Sequence, residues 1–241
     1  MKVVSLVPSI TEALFDLGLS ENEITGRTKF CIHPSDKVEK VEIVGGTKNL
    51  NIEKIKYLQP DLIIANKEEN VKEQIEELQK DFKVLVTDIS TIEDNYYLLK
   101  NLGNIFHKQN KAQEFNIATY DALQLKLTTP IKAAYLIWKN PYMTIGSDTF
   151  IHYILQELGF ENVFKDQLRY PEINLENLEN AEVIMLSSEP FPFQEKHIIE
   201  LKEIYPEKQI MIVDGEAFSW YGTHIAKSKN YYKSLIESFH Q

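Results

Sequence analysis

The sequence predicts an α/β chain: two Rossmann-like lobes with parallel sheets, joined by a long backbone helix. Three observations carry this. Short apolar runs alternate with segments of helical period, the pattern of strands linked by helical crossovers in a parallel sheet. The second half repeats the order of parts found in the first. Between the halves lie two consecutive helical segments with no strand between them.

In the first half, Val3–Val7 reads as a strand. Ser9-Ile10-Thr11-Glu12 has capping-box spacing, which puts a hydroxyl at the N-cap and Glu12 at the third position of a helix through Leu14, Phe15 and Leu17, stopped by Gly18. Glu23–Gly26 follows as a strand, Ile52–Leu58 as a short helix, Asp61–Ala65 as a buried strand, Val71–Lys80 as a helix and Val84–Thr87 as a strand. A second capping box, Ser90 to Glu93, opens a helix over Thr91–Phe106. After a polar break at His107-Lys108, Gln109–Leu127 is predicted helical, with Pro130 just beyond its end. At about 1.5 Å per residue it would span roughly 28 Å.

The second half reads as a strand over Ala133–Trp138, a helix over Thr149–Leu158 ended by Gly159, and a short helix over Leu175–Leu178. Val183–Leu186 is then a strand, Lys196–Ile204 a helix, Ile210–Val213 a strand and Ala226–His240 a terminal helix. Ser9 and Thr11 before Leu17-Gly18-Leu19 match Ser147 and Thr149 before Leu158-Gly159-Phe160. Asn51-Ile52-Glu53-Lys54-Ile55 matches Asn174-Leu175-Glu176-Asn177-Leu178, and Leu78 to Asp88 matches Leu201 to Asp214. Three matched segments in one order imply a duplicated unit. They predict an N-terminal lobe over residues 1–106, a connecting backbone helix over 107–130 and a C-terminal lobe over 131–241. A single doubly wound sheet is the alternative.

The chain has 241 residues and a formal net charge of −10. A nucleic-acid footprint needs clustered Lys and Arg, so that class is excluded. Hydrophobic residues at 43% and charged residues at 26% describe a globular chain. Cys31 is the single cysteine, which excludes an internal disulfide and a Cys-based zinc site. No apolar run approaches the roughly 20 residues of a membrane span. Met1-Lys2 leads straight into the first strand without the regions of an export signal. That predicts a cytoplasmic chain unless it is a trimmed mature form.

Open α/β sheets bind ligands beyond the carboxyl ends of their strands. In the first half those loops put forward Ser9, Phe30, His33, Thr47, Lys48 and Asn66. In the second half they put forward Trp138, Tyr142, Arg169, Tyr170, Glu189, Phe191, Glu216, Phe218 and Trp220. Both tryptophans of the chain lie in this second set. Rings at the mouth of a cleft suit a flat or bulky ligand with apolar faces, with about half of them packing the lobe's own edge. Gly45-Gly46-Thr47-Lys48 is either a bare turn or a set of N–H groups and one cation for an anion or amide carbonyl. Cys31 and His33 are two metal-donor types one residue apart, but no third is near and the six histidines show no tight spacing. No metal ligand, catalytic residue or cofactor is assigned, and His33 is read as a hydrogen-bonding residue.

Ser5-Leu6-x-Pro8-Ser9-x-Thr11-Glu12, Asn51-Ile52-Glu53-Lys54-Ile55, Pro60-Asp61-Leu62-Ile63-Ile64-Ala65 and Gly159-Phe160-Glu161-Asn162-Val163-Phe164 carry a resemblance over nearly the whole chain. The sequence resembles the helical-backbone (class III) periplasmic binding proteins, and is similar to the cobalamin-binding protein of vitamin B12 importers. Within that family, Gly45–Lys48, Asn66–Asn70, Ser187–Phe193 and Asp214-Gly215-Glu216 look like the subgroup of helical backbone metal receptors. The resemblance implies two lobes bridged by a helix. It implies permease-docking glutamates at Glu53 and Glu176, and ligand-contacting rings at Phe30 and Tyr170. At two further ring positions, where the cobalamin proteins have tryptophans, Thr47 and Asn66 occur.

These readings predict a monomeric, non-enzymatic solute-binding protein for a corrinoid or metal chelate, delivering it to the permease of an ABC importer. The alternatives are a ferric-siderophore or haem receptor, a cytoplasmic chelate carrier, and a chelatase-like enzyme using His33 with Glu68 or Glu69.

Overall fold

Residues 1–239 are described by a computed structural model and cluster into two α/β units. Unit 1 comprises Met1–Ile89, Glu93–Ile117 and Tyr221–His224. Unit 2 comprises Ser90–Ile92, Ala118–Trp220 and the chain from Ile225 onward. The predicted position His240 lies outside the described residues.

Unit 1 opens with β1 (Val3–Ser5), α1 (Pro8–Asp16), β2 (Ile24–Arg27), α2 (Ser35–Val38) and β3 (Glu42–Ile43). The short strands β4 (Gly45–Gly46) and β5 (Asn49–Leu50) form a hairpin, followed by α3 (Ile52–Leu58), β6 (Leu62–Asn66), α4 (Lys72–Gln79) and β7 (Val84–Thr87). Its parallel sheet has the order β3-β2-β1-β6-β7. β1 and β6 are buried throughout, which is why they read as unbroken apolar runs rather than alternating ones. Val4, Ile63 and Ala65 of these strands, and Leu6 just after β1, pack with Ile55 and Leu78 from α3 and α4. Two helices follow, α5 (Ile92–Ile105) and α6 (Gln109–Ala122), and α6 carries the chain from unit 1 into unit 2.

Unit 2 contains β8 (Ile131–Leu136), β9 (Tyr142–Met143), α7 (Phe150–Glu157), β10 (Phe160–Asn162), β11 (Glu172–Ile173) and a 3-10 turn over Leu175–Leu178. Then come β12 (Val183–Ser187), α8 (Glu195–Ile204), β13 (Gln209–Val213) and α9 (Gly215–Ser219). The C-terminal segment forms α10 (His224–Lys227) and α11 (Lys229–Glu237). The parallel sheet of unit 2 has the order β10-β8-β12-β13. Set against β2-β1-β6-β7 of unit 1, this is the same order, so the internal repeat extends from sequence to topology. The fold class is therefore α/β with two Rossmann-like units.

Several boundaries differ from the sequence reading. α1 starts at Pro8 with Val7 at the N-cap, so Ser9 is its second residue and Glu12 its fifth. Proline at the first helical position has no N–H to lose and a preset φ, and it wins over the hydroxyl signal. α6 ends at Ala122 rather than Leu127, because Leu127 donates its N–H to the Leu158 carbonyl at 3.0 Å. The predicted terminal helix is two helices separated at Ser228, and Asp214–Tyr221 holds the unpredicted α9. Asp214 caps α9 by accepting from the amides of Glu216 and Ala217.

Candidate functional site

In both sheets the direction of strand addition reverses, between β1 and β6 in unit 1 and between β8 and β12 in unit 2. The crevice outside the carboxyl ends of the strands at such a reversal is where α/β sheets take ligands.

At the unit 1 reversal, two asparagines set the loops. Asn66 ends β6 and is buried. Its Oδ1 accepts from the amides of Glu68 and Glu69 at 2.8 and 3.2 Å, and its Nδ2 donates to Thr87 Oγ1 at 3.2 Å. Asn70 accepts the Asn66 N–H and donates to the carbonyls of Leu6 and Thr47 at 3.2 and 3.1 Å. The loops after β1, β4 and β6 are thereby fastened together. Asn70 was not singled out in the sequence, since a loop asparagine looks like any other until its partners are known.

Thr47 and Lys48 form the tip of the β4–β5 hairpin. A Cβ at Gly45, with φ +114, would meet the Asn49 carbonyl oxygen at 2.4 Å, so the close turn requires glycine there. The Gly45 carbonyl accepts from the Lys29 amide, and the Lys48 ammonium donates to the Glu68 carbonyl. Phe30 lies beside Gly46, is half exposed, and has the Lys29 ammonium 5.0 Å from its ring centre. It is the one exposed ring among the unit 1 candidates. Ser9 is buried in the first turn of α1. Cys31 is fully buried between the hydroxyls of Thr11 and Thr28, at 3.1 and 3.2 Å, and burial pushes its thiol pKa up. A neutral thiol so placed is neither a good nucleophile nor a metal ligand. The His33 ring lies 6.2 Å from that of His224, whose Nδ1 is 2.8 Å from Glu12 Oε2. Among the described residues no group of three or more His, Cys, Asp or Glu is placed to hold a metal ion.

Unit 2 presents rings. Phe191 packs edge-on against Trp138, Phe193 and His197 at 5.6, 4.7 and 5.5 Å between ring centres. Phe193 is the buried root of this group, while Trp138 is 40% exposed. Tyr142 packs partly buried against the same core, and burial raises its phenol pKa. The Phe191 N–H donates to the Ile137 carbonyl, fastening the loop after β12 to the end of β8. Arg169 has φ +61, a guanidinium 5.6 Å from the Tyr170 ring, and an amide that donates to Asp148.

Glu189 follows β12 at this reversal. One carboxylate oxygen, Oε1, accepts from both Ser219 Oγ at 2.8 Å and Trp220 Nε1 at 3.1 Å. Burial raises its pKa, the hydrogen bonds from Ser219 and Trp220 oppose the rise, and Glu216 and Asp214 add to it. A Cβ on Gly215 would meet Glu189 Cγ at 2.5 Å, so glycine at 215 makes the room that Glu189 fills. Trp220 is buried and Glu216 is half-buried. Phe218 is fully buried, packed against Tyr135 and Tyr232, and faces its own unit's interior. Ser219, which fixes Glu189, stood hidden in an aromatic run that drew attention to its rings.

Glu53 and Glu176 are both exposed and both occupy the second position of their segments, α3 and the 3-10 turn. An asparagine precedes each segment: Asn51 Oδ1 accepts from the Lys54 N–H at 3.0 Å, and the Asn174 N–H donates to Asn177 Oδ1 at 2.9 Å. Glu53 lies on the rim of a shallow depression of unit 1 lined also by Gly45, Asn49, Leu50, Asn51 and Ile52. No helix among the described residues is long and apolar enough to cross a membrane.

A family model described as periplasmic binding protein matches residues 3–190. The vitamin B12-binding protein of Salmonella typhimurium is 28% identical over 184 residues, covering 73% of this chain and 68% of that one. The periplasmic vitamin B12-binding protein BtuF of Vibrio cholerae superposes with a TM-score of 0.83 at 21% identity, over 100% of this chain and 98% of that one. The periplasmic haem-binding protein RhuT from Roseiflexus sp. RS-1 gives 0.85 at 14% identity, over 100% and 99%.

Proposed function

The chain belongs to the periplasmic binding protein family, and we propose that it is a solute-binding protein for a corrinoid or a related metal chelate, serving an ABC importer without catalysis of its own. The observation that carries this is the ring group at the strand reversal of unit 2. Trp138 and Phe191 stand on a buried root of Phe193, and Glu189 is fixed beside the neighbouring Trp220. Rings held this rigidly give contact area to a flat macrocycle at little entropic cost, and one polar group orients it. The match to proteins named for vitamin B12 binding supports a corrinoid first. A haem or a ferric siderophore is the same reading with a different chelate. The unit 1 side offers Phe30 as its exposed ring, with Thr47 and Asn66 already engaged in holding loops.

Glu53 and Glu176 are proposed to dock on cationic residues of the permease. Both are exposed at segment starts, where a partner can reach them.

Calorimetric titration with cyanocobalamin, haemin and a ferric hydroxamate tests the reading. One of the three is expected to bind one-to-one. Phe191→Ala and Trp138→Ala should each weaken that binding by ~1–3 kcal/mol. Unchanged affinity in both variants would remove the ligand from this place.

A further inference from the structure

We propose that Glu189 sets which chelates unit 2 accepts: its second carboxylate oxygen, Oε2, takes a hydrogen bond from the ligand, selecting chelates that carry amide or amine donors over those that carry carboxylates. This rests on the chelate-binding reading above and adds a selectivity to it. The geometry is specific. Oε1 is committed twice, to Ser219 and to Trp220, while Oε2 has no hydrogen-bond partner among the described residues. The backbone is pinned as well, because the Glu189 carbonyl accepts from Ser187 Oγ at 2.5 Å and Ser187 Oγ accepts from the buried Tyr135 hydroxyl at 3.1 Å. Gly215 closes behind the side chain. A carboxylate oriented by two donors on one oxygen presents the other in a fixed direction.

The surrounding charge is of one sign. Glu216 and Asp214 act on Glu189 electrostatically. Two cations of unit 2 are engaged elsewhere: Lys139 pairs with Glu200, and Arg169 lies by Asp148. An incoming carboxylate meets repulsion here, and an N–H donor meets an acceptor already short of water. A charge-assisted hydrogen bond is stronger than a neutral one, and an unmet acceptor is costly. The two effects together predict a preference of about ten- to hundredfold for the donor-bearing ligand.

The test compares ligands that differ only in this chemistry. The probes are cyanocobalamin and its separated monocarboxylic acids, in which one peripheral amide is replaced by a carboxylate. A cationic hydroxamate and a trianionic catecholate chelate of ferric iron form a second pair. The wild type should bind the amide or cationic member about ten- to hundredfold more tightly, for at least one of the acids or for the iron pair. Glu189→Gln keeps an acceptor for Ser219 and Trp220 but puts a donor in place of Oε2. It should erase or invert that ratio while leaving the circular dichroism spectrum and the effect of Phe191→Ala unchanged. If chelates bind with no preference in the wild type, or if Glu189→Gln leaves the preference intact, the inference is overturned and the chelate-binding reading stands. If no probe binds the folded protein, both are overturned.

Discussion

Burial decides the protonation chemistry of individual side chains in this protein, and it does so in opposite directions for acids and bases. Burial pushes the Glu189 carboxyl and the Cys31 thiol up. It pushes the imidazoles of His152 and His197 down from 6.5, with Lys139 and Lys196 adding to the fall at His197. His152 Nδ1 accepts from Asn162 Nδ2 at 3.2 Å, and His197 Nδ1 accepts from the Gln194 N–H at 2.8 Å. Both rings are held neutral, with Nδ1 unprotonated. For a base whose folded pKa lies below its unfolded value, the unfolded chain binds more protons, so stability falls as pH drops below about 6.5. Urea unfolding from about pH 8 to about pH 5 should show this decline, and His152→Gln should flatten it. A pH dependence identical in wild type and His152→Gln would show that His152 does not carry the decline. Glu189 works the other way: its raised pKa makes the folded state bind the extra proton, so its own contribution falls as pH rises.

At the scale of elements, much of the fold was legible because the central strands are apolar on both faces and the turns carry their own chemistry. Ile52–Leu58 and Val84–Thr87 match the sequence reading to the residue. The elements missed were those fixed by distant partners. α1 has Glu12 paired to His224, far along the chain, rather than turned back to cap its own helix. The segment Tyr221–His224 belongs to unit 1 although it follows Trp220 of unit 2, and nothing local marks it. It is held by Asn95, which is fully buried; Asn95 Oδ1 accepts the Gly222 N–H and Asn95 Nδ2 donates to the Gly222 carbonyl. Gly222 has φ +85, and a Cβ there would sit 3.1 Å from Ala13 Cβ. Asn95→Ala leaves two buried backbone groups unmet and should cost about 1–3 kcal/mol in thermal or urea unfolding. Gly222→Ala should also destabilise, through the positive φ. An Asn95→Ala protein as stable as the wild type would contradict this account of the segment. The candidate site was half legible. Loop rings and acids were visible as residue types. That Phe218 turns inward and that Asn66 is taken up by its own loop depended on packing and hydrogen bonds that no spacing encodes.

At the scale of the whole molecule, two units with one strand order carry one exposed glutamate each at equivalent positions, Glu53 and Glu176. Exposed charge pairs act mainly on encounter and register between partners. The double change Glu53→Ala with Glu176→Ala should therefore leave chelate affinity and stability near wild type while abolishing uptake in a cell that depends on this chain. Normal uptake by the double variant would remove the docking role, and loss of chelate affinity would move these residues into the binding site. Native mass spectrometry of the protein purified from its own cells would weigh the proposed metal chelate in place. One adduct per chain is expected, with the mass and isotope pattern of a cobalt or iron chelate, lost on denaturation and diminished in Phe191→Ala. A folded chain that carries no adduct and takes up none when offered corrinoid, haem and ferric siderophore would contradict the chelate-binding reading.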